Sequence, residues 1–237
     1  MEFWALRIDL RDKQIEIVVN DAGTEGNFQD GNLPALTVSG FAAAYNCVAA
    51  MNASPFSPVS TKTGEKRFLT GVFISSGRLV NPPDPRYDGL VIYDDGHDDG
   101  RARILPQRDM LYEGLRHAIG GFYTVLENGN LTERAGKGKQ RHPRSAAAVS
   151  DEGFTLYLLV IDGRRPGSRG ATEEETGLLL RALGAEDGIL MDGGGSSALA
   201  VNMDGKTRLV NKPIHGGIIG RERAVATCIG IRVNQRR

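Results

Sequence analysis

Ile189-Leu190-Met191-Asp192-Gly193-Gly194-Gly195-Ser196-Ser197-Ala198-Leu199-Ala200-Val201 is the stretch on which the reading of the fold turns. The three apolar residues at its start read as a short buried strand, and the four after the serines read as another. Flexible linkers rarely sit between two core strands, so the glycines imply a tight turn or a close backbone approach to a ligand. Consecutive glycines leave their amides unobstructed, and a nest of such N–H groups receives an anionic oxygen. On this reading Gly193, Gly194, Ser196 and Ser197 bind an anion beside the carboxylate of Asp192. No Gly-Lys-Ser/Thr follows as in a Walker loop, and the GxGxxG spacing and the Gly-x-Ser-x-Gly elbow are absent.

Working outward, the same design recurs. The apolar run Thr155 to Ile161 delivers Asp162, then Gly163, Arg164 and Arg165. His142-Pro143-Arg144-Ser145 leads into the apolar run Ala146–Val149, with proline fixing the entry and holding Arg144 at the strand mouth. Asn52 follows an apolar run, and Arg223 precedes a final one. Polar residues at strand ends can converge on one rim of a sheet. Asp162 and Asp192 would then face Arg144, Arg164 and Arg223, a set suited to a phosphate because a guanidinium meets its oxygens in pairs. Each segment also has a bland reading as a solvated turn, a turn cap or a structural ion pair.

The rest of the chain predicts a strand-rich α+β domain with mixed sheets and two or three helices, in one unit spanning 1–237. Leu6, Ile8 and Leu10 alternate with polar residues, as do Ile15 and Ile17 after Arg11-Asp12-Lys13, which predicts an opening hairpin. Residues 21–36 read as a loop. Phe41, Ala44, Tyr45 and Val48 have helical spacing. Further hairpins are expected around Ser75-Ser76-Gly77, across the acidic loop after Tyr93, at Asn128-Gly129 and at Asp151-Glu152-Gly153. Thr172 with Glu175 forms a capping box opening a helix whose apolar stripe is Leu178, Leu179, Ala182 and Leu183, with Gly184 in the terminating position. Ala224–Val233 reads as the last strand.

Composition excludes several classes. The 29 basic and 29 acidic side chains cancel, so no global field draws the protein to nucleic acid. No apolar run reaches the ~20 residues of a membrane span, and Met1-Glu2-Phe3-Trp4 begins a strand pattern with no signal-peptide features. The 31 glycines, about twice an average share, cluster at turns without a repeat period. Cys47 and Cys228 stand alone in apolar sequence and predict buried free thiols. No cysteine–histidine spacing suggests zinc, and no cofactor motif is present. The acidic run 94–99 does not fit an EF-hand loop and is expected to be a solvated hairpin loop. His215, before Gly216-Gly217, either lines the pocket or sits in a loop. Oligomeric state is not legible.

Taken together, His142-Pro143-Arg144-Ser145, Val160-Ile161-Asp162-Gly163-Arg164, Gly170-Ala171-Thr172 with Glu175, Leu183-Gly184-Ala185 and Met191-Asp192-Gly193-Gly194-Gly195-Ser196-Ser197 resemble the phosphodiester glycosidase family in order and spacing. Asn52 followed by Phe56 resembles its Asn-Gly-x-Phe element, and Glu222-Arg223 its late Glu-Arg pair. Ala53-Ser54 stands where that family has glycines, and Ser145 where threonine is common. The resemblance implies a hydrolase that cleaves the bond between an anomeric carbon and a phosphodiester oxygen. Asp192 and Asp162 are then the catalytic candidates. Asn52, Arg144, Ser145, Arg164, Thr172, Gly193, Gly194, Ser196, Ser197 and Arg223 are the candidates for holding a phosphate-bearing sugar, with no metal or cofactor required. The alternatives are a glycosidase for uncharged glycans and a non-catalytic polysaccharide-binding domain of the same fold.

Overall fold

The computed structural model describes residues 1–21, 32–94 and 101–234. Three large antiparallel sheets carry the architecture. The first has six strands, in the order Phe3–Asp9, Thr155–Ile161, Arg144–Ser150, Asp187–Leu190, Thr124–Glu127 and Asn130–Leu131. The second orders Ala102–Pro106, Asp88–Tyr93, Leu115–Gly120, Phe73–Ser75 and Arg78–Asn81. The third orders Lys206–Leu209, Leu199–Met203, Ala49–Asn52, Cys228–Val233 and Ile15–Val19. A three-stranded sheet of Asn32–Pro34, Lys66–Leu69 and Phe56–Ser57 and a ribbon of Ile214–His215 with Ile218–Ile219 complete it.

The three large sheets share one core, in which Ile8, Leu158 and Ile189 of the first meet Phe73 and Leu90 of the second and Met51 and Ile229 of the third. Thr155–Ile161 lacks a polar alternation because both of its faces are covered. Leu156, Leu158 and Val160 enter the shared core, while Tyr157, Leu159 and Ile161 pack under the helix α2 (Glu173–Ala182). Burial on both faces is what an uninterrupted apolar strand records. The other helix, α1 (Val38–Ala44), covers the outer face of the third sheet through Val38, Phe41 and Ala42. Cys47 and Cys228 lie buried there as free thiols.

The expected hairpins at Ser75–Gly77, Asn128-Gly129 and 151–153 are present, each with left-handed backbone at its turn. Strands Asp88–Tyr93 and Ala102–Pro106 pair as expected, although residues 95–100 between them lie outside the described residues, as do 22–31 of the expected first loop.

Four expectations are corrected. The first two strands do not form a hairpin: Phe3–Asp9 pairs with Thr155–Ile161, and Ile15–Val19 pairs with Cys228–Val233. The turn at Arg11–Lys13 therefore passes the chain from one sheet to another. A local hairpin rule sees the turn but not the longer-range partners, which supply seven and five register pairs. Helix α2 has its expected cap and terminating Gly184, but it buries Glu173, Thr176, Gly177 and Leu180, while Leu178 is exposed. Gly177 decides that register, because a Cβ there would stand 2.6 Å from Leu131 and 3.1 Å from the Val125 carbonyl. Helix α1 stops at Ala44, leaving Val48 beyond it and exposed. The last strand begins at Cys228, preceded by isolated bridges at Ala224 and Val225.

Register now places the site. Arg144, at the start of its strand, stands opposite Ile161, at the end of its own, and Ala146 stands opposite Leu190. Arg144, Asp162 and Asp192 thus emerge at one edge of one sheet. The amide of Asp192 donates to the Ala53 carbonyl (2.9 Å), which ties this edge to the third sheet beside Asn52.

Candidate active site

Asp192 is the centre of the cluster. Its carboxylate accepts from the Ser196 hydroxyl and the Gly193 amide and lies in the field of Arg223, yet desolvation outweighs these and pushes its pKa up to about 6. Arg223 donates through Nη1 to Ser196 Oγ (3.1 Å) and through Nε to Nδ1 of His215 (3.0 Å). Arg164 sits on the other side of the glycine turn, held in left-handed backbone (φ 57°) with Nη2 3.1 Å from Nδ1 of His142. Arg144 is pinned by the carbonyls of Ala171 (3.1 Å) and Gln140 (3.2 Å) and lies 3.7 Å from Glu173. The charge of Arg164 opposes protonation at both Arg144 and Arg223, so the three guanidiniums form one positive cluster, and desolvation lowers the pKa of both those neighbours. Among the described residues, neither Arg164 nor Arg223 has a carboxylate within 4 Å.

The glycines serve this cluster in a way the sequence did not suggest. The amide of Gly194 donates to the Pro143 carbonyl, that of Ser196 to Gly193 and that of Ser197 to Gly194, while Gly193 serves Asp192. The expected open nest is therefore largely closed by its own hydrogen bonds. Each glycine instead admits a neighbour. A Cβ at Gly195 would lie 2.4 Å from Nη2 of Arg223, one at Gly194 3.3 Å from Nη2 of Arg164, and one at Gly193 3.0 Å from the Pro143 carbonyl. Three glycines in a row let two guanidiniums and one strand entry close around one carboxylate.

The remaining candidates fall behind this surface. Asp162 is 1% exposed, and its oxygens accept from Arg165 Nη2 (2.6 Å) and Nε (3.1 Å), Asn211 Nδ2 (2.9 Å) and the Lys212 amide (3.0 Å). It reaches the expected edge but is saturated there. Asn211 also donates to the Ser197 carbonyl (3.0 Å), so Asp162 supports the glycine turn from beneath. Asn52 and Ser145 are fully buried: Asn52 donates to the Asp192 carbonyl (2.6 Å) and accepts from Ser145 Oγ (2.7 Å) and the Ala198 amide (3.2 Å). Both brace the turn. The hydroxyl of Thr172 caps α2 by accepting from the Glu175 amide (3.1 Å), and Ser197 is buried.

Against this geometry, the profile of the family described as phosphodiester glycosidase matches residues 45–232. The chain belongs to the phosphodiester glycosidase family. A Bacillus subtilis (strain 168) protein described as SPbeta prophage-derived uncharacterized protein YomE is 29% identical over a 143-residue alignment that covers 56% of this chain and 21% of that protein. The chain thus spans about a fifth of the length of that relative. Among solved structures, the zebrafish N-acetylglucosamine-1-phosphodiester alpha-N-acetylglucosaminidase catalytic domain, auto-inhibited by its pro-peptide, superposes with a TM-score of 0.69 at 21% identity, over 99% of this chain and 83% of that one. A hypothetical protein from Synechocystis gives 0.67 at 14% identity over 98% and 59%. At these identities the superpositions speak to the fold.

Sequence reasoning passed over two residues of this cluster. Glu173 looks like helix-start acid decoration, yet it is buried, accepts from the Tyr123 hydroxyl (2.6 Å) and faces Arg144. Tyr123 is itself pushed up to about 12 by desolvation and by that bond, with Arg134 stacked 4.2 Å from its ring centroid. A usable signal existed for the glycines of the neighbouring motifs. A Cβ at Gly163 would strike Pro143 N at 2.6 Å, and one at Gly170 the His142 carbonyl at 2.3 Å. Those two glycines mark where other loops press on the His142–Ser145 segment.

Proposed function

We propose that this chain hydrolyses the glycosidic bond of a sugar-1-phosphodiester or a related anionic glycoconjugate. The observation that carries the reading is the pair Arg164 and Arg223, cations with neutral partners flanking one desolvated carboxylate. Guanidiniums without a carboxylate within 4 Å favour a dianionic or monoanionic ligand, and a phosphate matches their paired N–H geometry. The zebrafish enzyme's name specifies a phosphate-linked N-acetylglucosamine, which supports the same substrate class.

In this mechanism Arg164, Arg223 and Arg144 hold the phosphate. The bond from the anomeric carbon to the phosphate oxygen breaks, its electron pair leaving with the phosphate monoester. A water oxygen ends on the anomeric carbon. A phosphate monoester is a good leaving group, with a second pKa of ~6, so the proton donation that other glycosidases need from a second carboxylate matters less here. That accounts for a site with one open carboxylate. Asp192 in its ionised form stabilises the oxocarbenium-like carbon or takes the proton of the attacking water.

The test compares a sugar-1-phosphodiester with the nitrophenyl glycoside of the same sugar. We expect the phosphodiester to be favoured by about a hundredfold in kcat/KM, the value of two charge-assisted contacts. Preference for the nitrophenyl glycoside would give the enzyme to uncharged glycans. Turnover of neither across a panel of sugars would leave a binding domain.

A further inference from the structure

The two guanidiniums without carboxylate partners are docked in the same manner. Arg164 rests on Nδ1 of His142 and Arg223 on Nδ1 of His215, at 3.1 and 3.0 Å. A guanidinium can only donate, so each ring must present an unprotonated Nδ1 and carry its proton on Nε2. At His142 the opposite nitrogen faces Gln140 Oε1 at 3.2 Å, an acceptor that selects this tautomer. Burial and the adjacent arginines hold both histidines below their ordinary pKa, which keeps the rings neutral at pH 7.

Both residues are also held through their backbones. The His142 backbone exchanges two hydrogen bonds with Ala171 (3.1 and 2.9 Å), with Gly170 pressed against it. His215 lies in the short ribbon, paired with Ile218. An aspartate in either place would grip its arginine more firmly but cancel the charge. A neutral acceptor sets the direction of the guanidinium and leaves its charge to a ligand. Elsewhere in the same segment the opposite choice is made: Arg165 is tied to Asp162 and Glu2 and faces inward.

We infer that His142 and His215 are positioning residues that aim Arg164 and Arg223 at the phosphate of the substrate without neutralising them. This rests on the phosphate-binding role proposed above.

Asparagine places an oxygen where Nδ1 stood, so the variant series separates direction from charge. His142→Ala and His215→Ala should each raise KM for the sugar-1-phosphodiester about tenfold, with kcat within about threefold, the loss of one charge-assisted contact. His142→Asn and His215→Asn should recover most of that, and His142→Asp and His215→Asp should do no better than alanine. Nitrogen-15 spectra of the unmodified protein should show both rings protonated at Nε2 only. An Nδ1-protonated ring, alanine variants with unchanged KM, asparagine variants no better than alanine, or an aspartate variant equal to wild type would each overturn the inference. The controls Arg164→Ala and Arg223→Ala keep the two claims apart. If they leave KM unchanged, the phosphate-binding reading fails. If they raise it while the histidine variants do not, only this inference fails.

Discussion

At the end of the strand Thr155–Ile161, Asp162 is surrounded by donors: Arg165, Asn211 and the Lys212 amide leave neither oxygen open. Two strands away in the same sheet, Asp192 receives the Ser196 hydroxyl and the Gly193 amide, and desolvation holds its pKa near 6. Both positions are an apolar strand followed by Asp-Gly, and both stand at the same sheet edge. The difference lies in what the next cation does. Arg165 turns inward onto its aspartate, whereas Arg223 binds Ser196 and a neutral histidine and lies beside its aspartate without pairing with it within 4 Å. A carboxylate with a dedicated cation is tied into the fold, and the one held near titration among uncommitted cations is the one we propose for the chemistry.

The strongest test of that contrast is Asp192→Asn, which keeps the shape and removes the charge. Activity on a sugar-1-phosphodiester should fall about a thousandfold in kcat, with the far-ultraviolet spectrum unchanged. A loss below about tenfold would take Asp192 out of the chemical step. Asp162→Ala should show the reverse pattern. It strands Arg165, Asn211 and the Lys212 amide in a buried position, so the urea midpoint should drop by the equivalent of about 3–5 kcal/mol. The remaining folded protein should keep kcat/KM within a few fold. A stable Asp162→Ala protein without activity would reverse the roles of the two aspartates.

The sequence disclosed the sheet edge because strand ends are local features: an apolar run that stops at an Asp-Gly is visible without a structure. Hence the meeting of Arg144, Arg164, Asp192 and Arg223 at one place could be read from their positions, while their roles are those proposed above. Which aspartate is saturated was not visible, since Asn211 and Lys212 lie about 50 residues from Asp162 and announce nothing. Asn52 misled for a related reason. It does touch the Asp192 turn, but through that residue's backbone carbonyl and from a fully buried position. The glycine cluster was found, but only coordinates reveal that most of its amides bond inward while arginines fill the space of the missing side chains. The opening strands were likewise seen but wrongly paired, their partners lying at the far side of the chain.

Acidity acts on Asp192 by a smaller and reversible effect. Asp192 in the folded protein holds a proton that the unfolded chain releases near 3.8, so stability falls as pH rises from about 4 to about 6 through this group. The ionised carboxylate then costs at most about 3 kcal/mol at pH 7. Asp192→Asn should therefore be more stable than wild type at pH 7 and about equal to it at pH 4, measured as a difference in urea midpoint. In the same range kcat/KM of the wild type should climb through about pH 6 as the carboxylate ionises. A profile that falls instead would assign Asp192 the role of proton donor.

Thr172 offers the smallest effect and the sharpest use of it. The residue sits in a motif of the phosphodiester glycosidase resemblance, and its hydroxyl could be read as a ligand for phosphate. In the fold that hydroxyl accepts the Glu175 amide, while the Glu175 carboxylate accepts the Thr172 amide (2.9 Å), closing both halves of a capping box. Its replacement by alanine should cost about 1 kcal/mol of stability and leave KM within about twofold. The value of the measurement lies in its separation of two signals that coincide in sequence. Glu173, the next residue, reaches Arg144 and Tyr123 from the first turn of the same helix. The cap fixes where that turn begins, so a Thr172→Ala protein that lost substrate affinity while losing little stability would show the cap acting through Glu173 on Arg144. Loss of stability alone would confine Thr172 to the helix, and the motif's contribution to the site would then rest on its neighbour.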